Sequence, residues 1–182
     1  MTNSLPLPIP KIKAIIRFFC AYTNNRYLGK TKLMKLFYFI DFLHVKKYGS
    51  PITYDTYVNL EHGPIPSTIM NLVNAVSDDL DNSLLADTIR IEKVSDQGIQ
   101  RIVCENKFSD KDKKLFTNTE IEVMNEVVQR FGNKNTKYLE DASHKEAPWM
   151  QTKLSQKIPY SLAANDPDSM VSKEEIELFL SI

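Results

Sequence analysis

The chain has 182 residues, 42% apolar and 25% charged, and its 23 Lys and Arg balance 23 Asp and Glu. That size suits one soluble globular domain spanning residues 1–182 with a core of its own, and zero net charge argues against a dedicated nucleic-acid binder. The opening "MTNSLPLPIP" lacks the charged and apolar regions of a secretory leader, and the apolar run at 15–22 is too short to span a bilayer. A cytoplasmic location is therefore expected, with Cys20 and Cys104 as reduced, buried thiols.

Charge is unevenly spread. The first fifty residues carry nine Lys and Arg against one acid, Asp41, about +8, which leaves about −8 for the remainder. Two readings follow: a dipolar surface that steers a charged protein partner, or merely two solvated faces.

In chain order, Pro10 opens a first helix, with Ile12, Ile15, Ile16 and Phe19 at core-facing spacing. The stretch "YLGKTKLMKLFYFIDFLHVKKYG" predicts a second, ending at Gly49. Its apolar residues run almost all the way round, as in a buried central helix. Lys32, Lys35 and Lys46 share one side of it, and their ammonium groups are expected to reach water along apolar neighbours. "TYDTYVNL" is strand-like, and the following Gly-Pro-Ile-Pro reads as a strand-to-helix switch with Pro66 in the first helical turn.

A third helix carries Ile69, Leu72, Val73, Val76 and Leu80 in one stripe. "DTIRIEKV" and "IQRIVCE" flank the turn-formers Asp96 and Gly98, which predicts a β-hairpin. Thr117 and Glu120 form a capping box for a helix ending before Gly132, a short helix stops near Pro148, and Ser172 with Glu175 open a last one. The expected class is α+β, mainly helical around a buried central helix, with a small antiparallel sheet.

No motif for chemistry stands out. His44, His62 and His144 show no metal-ligand spacing, and His44 reads as a packed histidine with one nitrogen satisfied. There is no Gly-x-Ser-x-Gly elbow, and the five glycines are isolated, so a phosphate cradle is not expected. Neither a metal nor another cofactor is expected. "EHGPIPST" works as a structural turn, while its N–H groups with His62 beside them would suit an anion. Trp149 either fills the core or anchors a partner.

Taken in order, these landmarks resemble a known family. Lys32-Leu33-x-Lys35-Leu36-x-Tyr38, the series His44, Tyr48, Gly49 and Pro51, then Gly63-Pro64, then Ser143-His144 with Pro148-Trp149 are similar to the Panacea domain of SocA-like, phage-associated antitoxins, over about residues 12–150. The tail at 151–182 lies beyond it. The resemblance implies a non-enzymatic antitoxin that neutralises the toxin of a neighbouring gene by direct binding. The alternative it brings is a proteolytic adaptor delivering that toxin to a Clp-type protease. On this reading Lys32, Lys35, Tyr57, His62, Gly63, Pro64 and Trp149 are the expected partner contacts, with no membrane and no nucleic acid involved. A hydrolase using His62 and His144 ranks below both.

Overall fold

Helix α2 (Lys30–Tyr48) organises the fold, because every residue from 32 to 46 is buried. A computed structural model describes residues 7–24, 26, 28–78, 83–94 and 98–181. In it α1 (Ile9–Tyr22) lays Ile12, Ile15, Ile16 and Phe19 into the core beside α2. α2 ends as its sequence requires, with Gly49 left-handed at φ +83° and its N–H on the Val45 carbonyl. The protein is mainly helical α+β, as the apolar pattern implies.

Around α2 stand α3 (Ser67–Asp78), α5 (Asn118–Phe131) and α6 (Thr136–Ser143). The box of Thr117 and Glu120 caps α5, and that of Ser172 and Glu175 opens α8 (Lys173–Ser181). Among the elements with no clear sequence signal are α4 (Asp110–Lys113), boxed by Ser109 and Asp112, and a 3₁₀ helix at Tyr160–Asn165.

One sheet has the order β2-β1-β5, antiparallel throughout, from β1 (Tyr57–Leu60), β2 (Gly63–Pro66) and the two-residue β5 (Lys157–Ile158). The expectation of a switch at Gly-Pro-Ile-Pro is corrected here: the segment is itself a strand, and α3 starts after it, at Ser67. Two prolines are tolerated because β2 is an edge strand. Pro64 also faces Asn59, whose backbone turns the other way, donating to Gln156 and accepting from Ser155. Pro64 thus occupies a position where the ladder asks for no N–H.

The second sheet is the predicted hairpin, β3 (Ile89–Lys93) with β4 (Gln100–Cys104). Its turn residue Asp96 lies outside the described residues, as does Leu80 of the α3 stripe. Pro148 does not stop a helix; α6 ends at Ser143, and Pro148 opens the short α7 (Ala147–Met150), where its missing N–H costs nothing.

Two further expectations change. Cys20 and Cys104 form a disulfide rather than two thiols, because α1 packs on β4 and brings their Cα atoms to 6.2 Å. Of the two charge readings, the dipolar surface is weakened by ion pairs that join the first fifty residues to the later chain. Lys11 meets Glu120, Lys13 meets Asp87, Arg17 meets Asp112, and Lys47 meets Glu122 and Glu126, so acids of the later chain neutralise the basic first fifty residues.

Candidate functional site

The β1–β2 turn sits where α2, α6 and α7 converge, and Gly63 shows why. Its φ is +96°, and a Cβ there would lie 2.7 Å from both Lys35 Nζ and Ser143 Oγ. Glycine is needed for the backbone and for the space. Lys35, wholly buried, donates to the Pro64 carbonyl at 2.9 Å. Burial lowers its pKa from 10.5 to about 7, against the opposing pull of the Glu140 carboxylate. Ser143 gives its hydroxyl to the Glu140 carbonyl at 2.8 Å.

The rim is more open. His62 is exposed, with Nδ1 3.5 Å from Glu140 Oε1. Trp149, half-buried, stacks on His144 with ring centroids 3.9 Å apart and donates its indole N–H to the Leu60 carbonyl. His144 Nε2 is buried without a hydrogen bond, and desolvation lowers the pKa of that ring, with Glu140 pulling the other way. Asn59, which carried no sequence signal, ties β1 to α7: its amide donates to the carbonyls of Trp149 and Thr152.

Beneath the sheet, Asp41 is fully buried. Its Oδ1 accepts from the N–H groups of Ile52 and Thr53 at 2.8 Å each, and its Oδ2 from the hydroxyls of Thr53 and Tyr57. Burial raises its pKa to about 6, partly offset by those donors. Asp55 caps α3 from outside the helix, accepting from Thr68 and Ile69.

The expected partner residues therefore divide. His62 and Trp149 are accessible, whereas Lys32, Lys35, Tyr57, Gly63 and Pro64 are buried. Lys32 and Lys35 are corrected as a solvent-facing basic pair: Lys32 Nζ donates to the carbonyls of Gly132 and Lys134, and Lys35 Nζ to that of Pro64. Carbonyls left over at the end of α5 and in the β1–β2 hairpin draw the ammonium groups inward. Lys46 is likewise buried: burial alone would lower its pKa, but Glu146 and Asp168 outweigh it. His44 has both nitrogens satisfied, by the Ser50 carbonyl and the Thr119 hydroxyl.

Part of the scattered sequence landmarks converges at this hairpin: Lys35 from α2, Gly63-Pro64 from β2, Ser143-His144 from the end of α6, and Trp149 from α7. The family model described as the antitoxin SocA-like, Panacea domain matches residues 33–150. The chain belongs to this family. The match starts inside α2 and ends with α7, so the SocA-like region takes in the whole hairpin site, while α1 and the tail lie outside it. No curated protein and no solved structure matches the chain. Membership of an antitoxin family implies an antitoxin-type role and a toxin partner in general terms.

In this SocA-like domain His62 and His144 both lie near Glu140, as a hydrolase would ask, but the Ser143 hydroxyl is committed to a backbone carbonyl. Among the described residues no group of three or more His, Cys, Asp or Glu could hold a metal ion, and no helix is long and apolar enough to cross a membrane.

Proposed function

We propose that this protein is an antitoxin-type interaction domain that neutralises a toxin, encoded by a neighbouring gene, through direct binding at the β1–β2 turn and α7. One observation supports the reading above others: family landmarks from distant parts of the chain meet at a single hairpin whose accessible rim is His62 and Trp149. The exposed Leu60 and Met150 beside them add apolar contact area of the kind interface centres use. Lys35, Tyr57, Gly63 and Pro64 act from below, fixing the shape of the turn rather than touching the partner, while Lys32 is engaged at the end of α5.

The test is co-expression in a bacterial host. The neighbouring gene's product alone should arrest growth, and this protein should restore it. The double variant His62→Asp, Met150→Asp alters only exposed side chains and should lose both rescue and complex formation at an unchanged melting temperature. Rescue by that variant at the wild-type level would remove this surface, and a harmless neighbour would remove the pairing. Following the toxin's level separates occlusion, where it persists, from delivery to a Clp-type protease, where it falls.

A further inference from the structure

The chain's two cysteines are joined to each other and take no part in the Gly63 site. Cys20 lies in the last turn of α1 and Cys104 at the end of β4, 84 residues later. Both line an open cleft of about 660 Å³. Its walls carry the aromatic rings of Tyr22 and Phe108, 6.2 Å apart, and the cations Arg17, Arg101 and Lys107 against one acid, Glu105. Arg17 and Arg101 each engage a carboxylate outside the cleft, Asp112 and Glu92 respectively. A guanidinium has five N–H donors, so such a pairing leaves others unused. Lys107 is exposed.

We propose that this cleft is a thiol-exchange site, in which a small thiol bearing carboxylates seats against Lys107 and the two arginines and opens the Cys20–Cys104 bond. Cys104 is the more exposed half and is the sulfur attacked. The incoming thiolate bonds to Cys104 Sγ as the protein S–S bond breaks, and the Cys20 sulfur leaves as a thiolate and takes a proton from water. A second small thiolate then attacks the sulfur of the bound thiol. It releases Cys104 as a thiol and departs as the oxidised, dimeric small thiol. Two electrons pass from two thiols to the protein, and α1 is no longer covalently tied to β4. The bond is then a reversible state of the protein, set by the thiol pool around it.

Glutathione is the probe, used on the full chain. After acid quench, alkylation and mass measurement, both cysteines should be protected in oxidised glutathione. They should become alkylated together in millimolar reduced glutathione while far-ultraviolet dichroism stays native. In oxidised glutathione the Cys20→Ser variant should accumulate a glutathione adduct on Cys104, whose thiolate attacks the disulfide and releases one reduced glutathione. Independently, Lys107→Glu should slow reduction by glutathione about threefold relative to uncharged 2-mercaptoethanol, the effect of reversing one screened surface charge. Free thiols persisting in oxidised glutathione would overturn the proposal, as would reduction only on unfolding. Equal slowing of both thiols by Lys107→Glu would overturn the carboxylate contact.

Discussion

The β1–β2 and β3–β4 hairpins are both short antiparallel pairs resting on the same helical core, but they are held by different means. β1–β2 is fixed from within: Asp41 gathers four donors, Lys35 holds the Pro64 carbonyl, and Asn59 ties the sheet to α7. β3–β4 buries Ile89 and Ile102, but its side-chain cross-links lie outside the core: one disulfide, and the ion pairs of Glu92 with Arg101 and of Arg90 with Glu105. Buried polar networks are costly to break because each abandoned donor or acceptor keeps its desolvation penalty. Exposed ion pairs contribute little because water and salt replace them. The comparison suggests that the first hairpin is kept in one arrangement, as a recognition surface needs, and that the second tolerates change.

The largest expected effect follows from Gly63. Gly63→Ala places a methyl group against Lys35 and Ser143 and forces a left-handed φ on a residue with a side chain, so it should cost about 3 kcal/mol in urea denaturation. A cost under about 1 kcal/mol would mean that the hairpin is not locked from within. Next comes Lys35. Below pH 7 folded and unfolded chains both carry its proton. Between about 7 and 10.5 the unfolded chain holds it more than the folded one, so stability rises with pH across that window. Relative to Lys35→Met, the wild type should gain roughly 2 kcal/mol from pH 7 to pH 9, whereas parallel profiles would contradict the burial penalty. The smallest effect belongs to the other hairpin: Arg101→Ala should cost under about 1 kcal/mol, and a loss near 3 kcal/mol would erase the contrast between the two regions.

Much of this fold was legible in the sequence because it rests on local signals. The all-round apolar pattern of α2, its Gly49 terminus and the two capping boxes need only a few neighbouring residues to be read. Gly-Pro-Ile-Pro was misread because proline disfavours strands in general, and only the edge position and the outward-turned Asn59 make it acceptable here. The lysines were misread for a related reason. Helical spacing places Lys32 and Lys35 on a face, but only the tertiary fold supplies the buried carbonyls that accept their hydrogen bonds. The disulfide and the neutralisation of the basic first fifty residues depend likewise on contacts across about half the chain or more. At the site, Gly63 and Trp149 announced themselves by residue type, whereas Asn59 and Glu140 have no local signature.

The most direct test of the account is an amide-exchange footprint of this protein with the purified product of its neighbouring gene. Protection confined to residues 59–63 and 147–152, with β3–β4 unchanged, is the predicted result. Protection on β3–β4 with the β1–β2 turn left open would contradict it.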